Sequence, residues 1–266
     1  MSNIGLLVVT GSSRGIGKAF ATTFASTQWL PDITELEVSL IARSQDGQSD
    51  TKTQVLKHAP PSVAVKVSCS AIDLADMSSL ESNVKNVFSS HTSQYKKAIF
   101  INNAGSIGPI GPTIKIHERL SEIQQSMSFN FSSSCFLSSL FADTFSPKCD
   151  DVTIVNVSSI CGVEPFKTLA LYCAGKSARD MFHSVLAEEN SGFKVLNYAP
   201  GPVDTEMVNE MISTDAFDVT NRAFMSNARS TGTLVKAQDT AQALVEMVLQ
   251  AKFESGSHVD YYDIQK

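Results

Sequence analysis

Along this chain, short runs of β-branched and aliphatic residues alternate with longer amphipathic stretches, and that alternation admits few folds. It is the signature of βαβ units, in which each strand is followed by a helix that crosses back over a parallel sheet. The strand candidates are Leu6–Thr10, Val38–Ala42, Val63–Val67, Ala98–Asn102, Val152–Val157, Lys194–Tyr198 and a short one near His258–Tyr262. Several are apolar almost throughout (LLVV, AIFI), as strands covered on both faces must be. Helices are predicted over Gly15–Ser26, Met77–Ser89, Ile123–Phe141, Leu171–Glu188 and Ala237–Leu249. The expected fold is a doubly wound, mostly parallel α/β sheet with helices on both faces. No repeat, low-complexity tract or linker divides the chain, so residues 1–266 are expected to form a single domain. The polar, Met/Asn/Ser/Thr-rich stretch 201–232 breaks the alternation just after a strand, which predicts a substrate lid.

With 266 residues, 42% hydrophobic and 18% charged, the chain has material for one large core. A net charge of −6 without a basic cluster argues against nucleic acid as a partner. No apolar run approaches the ~20 residues of a membrane span, and the first residues lack the pattern of a signal peptide. Five cysteines without close pairing suggest reduced thiols, hence a cytoplasmic setting, and five histidines without ligand spacing predict no metal site.

The first strand runs directly into Thr10-Gly11-Ser12-Ser13-Arg14-Gly15-Ile16-Gly17 and then a helix. Such glycines permit a tight turn and a close approach of backbone to pyrophosphate, and the helix N-terminus meets the anion with unpaired N–H groups. The spacing Gly-x3-Gly-x-Gly, placed after the first strand of an α/β chain, predicts a dinucleotide site and a Rossmann-type fold. The second strand ends in Arg43-Ser44 and carries no carboxylate to bond the ribose hydroxyls of NAD. Arg43, with Arg14, could instead fork onto a 2′-phosphate, which points to NADPH.

Tyr172 and Lys176 are four apart on a predicted helix, so phenol and ammonium share one face. The lysine charge is expected to lower the tyrosine pKa toward the working range of an acid–base catalyst. Ser159 closes the apolar strand before that helix and faces the crevice beyond the strand ends. Ser158, its rival, is sent to the other side by strand alternation.

Together with TGSSRGIG, NNAG at 102–105, Asn130, Ser159, YCAGK and PGPVDT at 200–205, these residues resemble the short-chain dehydrogenase/reductase family, in the family's order and over the whole chain. The resemblance implies that Tyr172 protonates a carbonyl oxygen as hydride arrives, that Lys176 holds the nicotinamide ribose, and that Ser159 bonds the carbonyl oxygen. It further implies that Asn130 orients a water of the proton relay. Gly11, Ser13, Arg14, Gly15, Ile16 and Gly17 would cradle the cofactor phosphates, with Arg43 and Ser44 beside them. Asp73 and Leu74 would contact adenine, while Asn103, Ala104 and Gly105 line the cofactor. Thr205, with Pro200, Val203 and Met207, would clasp the carboxamide. Members of the family pair through their long helices, so a homodimer is expected.

Within the family, LYCAGKSARDM at 171–181, NYAPGPVDTEM at 197–207 and the tail SGSHVDYYDI at 255–264 resemble a pterin-reducing branch. That likeness implies reduction of side-chain carbonyls in sepiapterin or 6-pyruvoyl-tetrahydropterin, late in tetrahydrobiopterin synthesis. Asp260 would then grip the guanidine-like edge of the pterin with both carboxylate oxygens, and Gly201 would leave room for the flat ring. Residues 106–117 and 208–232 depart from the branch. Two alternatives stand beside this one, a general carbonyl or dicarbonyl reductase and a cofactor-sensing protein without chemistry. Cys173, next to Tyr172, is expected to pack rather than react.

Overall fold

The computed structural model describes residues 2–29 and 31–264. Seven strands, β1 (Ile4–Thr10), β2 (Glu35–Ala42), β3 (Ala64–Ala71), β4 (Tyr95–Asn102), β5 (Cys149–Val157), β6 (Lys194–Ala199) and β7 (His258–Asp260), form one sheet. Its order is β3-β2-β1-β4-β5-β6-β7, and every pairing is parallel. The helices are α1 (Gly15–Ser26), α2 (Gln45–His58), α3 (Leu80–Ser89), α4 (Leu120–Met127), α5 (Ser133–Phe145), α6 (Ala170–Glu189), α7 (Glu206–Ile212), α8 (Val219–Ser230), α9 (Ala237–Leu249) and α10 (Tyr261–Ile264).

Alternation along β1 shows why both sheet faces are covered. Leu7 and Val9 enter one apolar layer with Phe20, Phe24, Leu244 and Val248 of α1 and α9. Leu6 and Val8 enter the opposite layer with Val84, Phe88, Phe141 and Phe145 of α3 and α5. A strand buried on both faces must be apolar at every position, which is what the LLVV run supplies.

Three differences from the sequence reading have plain causes. Helix α2 went unpredicted because it is polar, burying only Gln48, Thr51 and Val55. The single helix expected over Ile123–Phe141 is instead α4 and α5 joined by a π turn at Ser128–Ser132, an irregularity that a 3.6-residue pattern does not reveal. The strand expected to reach Tyr262 stops at Asp260, and α10 follows. Among the described residues, no helix is long and apolar enough to cross a membrane, and no group of His, Cys, Asp and Glu is placed to hold a metal. All five cysteines are free.

A buried polar chain ties the sheet to α5 and α6. Asn102 Nδ2 donates to Ser134 and Ser138, at 2.9 Å each. Ser138 Oγ meets His183 Nε2 at 2.8 Å, and His183 Nδ1 meets the Arg179 carbonyl at 2.7 Å. Burial pushes the His183 pKa from 6.5 down to about 3, so the folded protein keeps this ring neutral. Below pH 6.5 the unfolded chain takes up a proton that the folded chain refuses until about pH 3. Folding stability should therefore fall with acidification across that window, at up to about 1.4 kcal/mol per pH unit for this one group. Urea melts of the parent and of His183→Gln should show the smaller slope in the variant; equal slopes would assign the acid lability to other groups.

Candidate active site

Because all strands are parallel, their carboxyl ends emerge along one edge, and the candidate residues cluster there. A cleft of about 1030 Å³ is lined by Gly11, Ser13, Arg14, Gly15, Ile16 and Gly17 from the turn after β1, and by Arg43 and Ser44 after β2. Leu74, the loop residues Asn103, Ala104 and Gly105, and the later Thr205 and Met207 complete the expected wall. The turn is built for backbone contact. A Cβ on Gly17 would lie 2.2 Å from the Gly11 carbonyl oxygen, so only glycine lets the helix start this close to the strand. Thr10 Oγ1 accepts from the backbone N–H groups of Asn103 and Ala104 at 2.9 and 3.0 Å, binding the turn to the loop after β4.

Arg14 and Arg43 are both exposed at the cleft, and among the described residues neither has an ion-pair partner. Two unpaired guanidinium groups beside a glycine-rich helix start suit a phosphate-bearing nucleotide. Ser44 lines the cleft and also caps α2, its Oγ accepting from Gly47 N at 3.2 Å. Asp73 is exposed beside Leu74, with its carboxylate accepting from Ala75 N at 3.0 Å, and it is not part of the wall. Pro200 and Val203 are buried behind the wall rather than on it. Sequence reasoning missed Ile72, Phe129, Asp204 and Arg229, which line the same cleft. Arg229 Nη2 pairs with Asp204 Oδ1 at 2.5 Å, a link between α8 and the turn before α7 that spacing alone does not signal.

The catalytic candidates lie near one another at the carboxyl edge of the sheet. Ser158 is buried, its Oγ donating to Asp180 Oδ2 at 2.7 Å, while Ser159 Oγ accepts from Cys161 N at 3.2 Å and lies near enough to the Tyr172 phenol to favour its phenolate. Lys176 Nζ lies 5.6 Å from the Tyr172 ring centre and donates to the Val157 carbonyl at 2.5 Å. Asn130 sits in the π turn, where its Oδ1 accepts from Ser106 N at 2.9 Å and braces the loop after β4.

The electrostatics correct one expectation. The Tyr172 pKa is raised, not lowered, because desolvation around the phenol outweighs the opposing influence of Ser159 and the Arg179 charge. Burial and the neighbouring Arg179 charge meanwhile push Lys176 well below its usual value. A tyrosine kept protonated is suited to donate a proton, which is the direction carbonyl reduction needs.

The stretch 201–232 is ordered into α7 and α8. Val208, Met211, Phe217 and Ala228 form an apolar cluster with Ile107, Cys161 and Leu169, and Tyr172 and Cys173 pack against it. Asp218 N donates to Thr168 Oγ1 at 3.0 Å, fastening this segment to the loop before α6. Cys161 lies beside the Cys173 thiol and lowers its pKa from the usual thiol value. Asp260, in register with Ala199 at the same sheet edge, has one carboxylate oxygen accepting from Tyr262 N at 2.9 Å. Gly201 has φ +76°, and a Cβ there would stand 3.1 Å from Val235 Cγ2 and 3.6 Å from the Tyr261 and Tyr262 rings, so backbone geometry alone already favours glycine.

Residues 6–216 match the family model described as short chain dehydrogenase, and the chain belongs to the short-chain dehydrogenase/reductase family. It is an enzyme of that family's kind, an oxidoreductase using a nicotinamide cofactor. Among named relatives it is similar to sepiapterin reductase of Xenopus tropicalis, with 35% identity over 97% of this chain and 96% of the relative. Sepiapterin reductase of Rattus norvegicus is 34% identical, again over 97% and 96%. The fold is shared with the crystal structure of the KRED1-Pglu enzyme, with a TM-score of 0.80 at 18% identity, over 96% of this chain and 100% of that one.

Removing the phenol should abolish proton donation. Tyr172→Phe is expected to lower kcat for carbonyl reduction by roughly 10²–10⁴-fold without loss of fold by circular dichroism. Since the Tyr172 pKa lies above 10.0, the parent rate should show no alkaline loss from this group until the pH exceeds that value. An alkaline limb near neutrality that disappears in Tyr172→Phe would contradict the assignment.

Proposed function

We propose that this protein is an NADPH-dependent reductase of pterin side-chain carbonyls, with sepiapterin and 6-pyruvoyl-tetrahydropterin as the substrate type and tetrahydrobiopterin synthesis as the setting. The observation that carries the reading is the near full-length similarity to sepiapterin reductases, over 97% of this chain. NADPH, when bound, supplies the hydride. The residues of this chain do the rest. Arg14 and Arg43 neutralise the 2′-phosphate, while Ser159 and Tyr172 both donate hydrogen bonds to the substrate carbonyl oxygen. Tyr172 then gives up its proton to that oxygen, and Lys176 holds the ribose and steadies the phenolate left behind. Asp260 accepts two hydrogen bonds from the amino and ring N–H edge of the pterin, fixing which carbonyl faces Tyr172. The segment 201–232 acts as a lid, its apolar inner side already packed against Tyr172.

The same reading includes a cytoplasmic homodimer. Met181 and Val185, one turn apart on α6, are 67% and 46% exposed, and such an apolar strip suits a two-fold helix–helix contact.

Two variants separate this reading from a general dicarbonyl reductase. Asp260→Asn keeps an acceptor for Tyr262 N but loses the charge, and should raise KM for sepiapterin roughly 10–100-fold while a simple diketone is turned over as before. Equal effects on both substrates, or on neither, would remove Asp260 as the pterin anchor. Arg43→Ala should raise KM for NADPH at least ~10-fold and leave KM for NADH within about twofold. A parent enzyme that already prefers NADH would overturn the cofactor assignment.

A further inference from the structure

Among the described residues Arg179 is the most deeply buried cation, with 0% exposure, and it has no carboxylate within ion-pair distance. A guanidinium in such a place is costly unless its nitrogens are hydrogen-bonded. Here each of the three nitrogens donates. Nε donates to Asn156 Oδ1 at 2.7 Å, Nη1 to the Ala104 carbonyl at 2.9 Å and Nη2 to the Asn102 carbonyl at 2.6 Å. The acceptors lie on β5, on the loop after β4, and at the end of β4, so one side chain gathers three separate parts of the catalytic edge. Asn156 in turn donates to Asp180 Oδ1 at 2.9 Å, which passes part of a negative charge toward the guanidinium without a direct pair.

Its position on α6 gives this geometry a consequence for the reaction. Arg179 follows Tyr172 by seven residues and Lys176 by three, placing all three on one helix face. The loop it grips, 102–105, supplies Asn103, Ala104 and Gly105 to the cofactor cleft. A Cβ on Gly105 would come 3.8 Å from Arg179 Nη1 and 3.3 Å from Asn130 Oδ1, so the loop is held from both sides.

We propose that Arg179 is a positioning residue for the reductase reaction: it locks the cofactor-lining loop 102–105 to the helix bearing Tyr172 and Lys176, and it sets a fixed positive charge beside them. The inference rests on the nicotinamide-cofactor reading of the cleft, and not on the pterin as substrate. The ionisable groups facing this cluster are Cys161 from the turn after β5, Cys135 from α5, and Cys173, Asp180 and His183 from α6. Within it the Arg179 charge lowers the Lys176 pKa and opposes the desolvation that raises Tyr172, so it favours the phenolate formed after proton donation. Arginine is required on geometric grounds, since a lysine ammonium cannot reach both carbonyls as a planar fork.

The test uses the whole protein with Arg179→Lys and Arg179→Gln. The first readout is the Kd for NADPH from its fluorescence enhancement on binding. The second is the titration midpoint of Lys176, followed by NMR of side-chain-labelled lysine and assigned with Lys176→Arg. Both variants are expected to raise the NADPH Kd roughly tenfold or more, because the loop loses its fork. Arg179→Gln should also move the Lys176 midpoint upward, while Arg179→Lys should leave it in place. That split between a geometric and a charge effect is what mere structural damage does not produce. If Arg179→Gln fails to fold, the Lys variant decides on its own, through a weakened Kd with an unmoved midpoint. Both variants matching the parent in Kd would overturn the inference. A parent protein that does not bind NADPH would sink the cofactor reading, and this inference with it.

Discussion

Parallel pairing of all seven strands is the constraint on which everything else in this structure depends. A parallel sheet cannot be closed by hairpins, so each strand must be followed by a crossover, and every strand delivers its carboxyl end to one edge. The glycine-rich turn, Arg43, Asn103 to Gly105 and Thr205 follow four different strands, yet they line one cleft for that reason, and Ser159, just after β5, and Asp260, ending β7, lie at the same edge of the sheet. The apolar layers on the two faces make the arrangement stiff, since side chains on neighbouring positions of β1 belong to opposite cores.

On that edge the decisive physics is desolvation. Tyr172, Lys176 and Arg179 lie together where charge is poorly solvated, and the three respond differently. The phenol stays protonated, the ammonium is pushed down, and burial lowers the guanidinium only to about 10, so it remains charged. The site thus holds a neutral proton donor next to fixed positive charge, an arrangement that stabilises an anion only after the proton has left. Asn130 and Arg179 serve the same end mechanically, pinning the loop after β4 from two helices.

Much of this was legible in the sequence because the chemistry demands residue types at fixed spacing. The glycines of the first turn and the Tyr-x3-Lys pair follow from geometry, and strand alternation sends Ser158 to Asp180 and away from Ser159. What escaped was set by tertiary context. Helix α2 shows only three buried residues to a pattern search, and α7 and α8 were hidden in a polar stretch whose apolar residues meet a loop far away in sequence. The direction of the Tyr172 shift was misread because one neighbouring charge is visible in a sequence and burial is not. Arg179 gave no signal, for a charged residue in a helix reads as solvated until its partners are known.

The proposed reduction of a pterin carbonyl by NADPH at this edge can be followed through NADPH and sepiapterin absorbance together, in one reaction with purified protein. Equimolar loss of both is expected, with NADH a much poorer donor. Oxidation of NADPH by simple diketones with sepiapterin untouched would contradict the pterin assignment, and no turnover of either would contradict the enzyme itself.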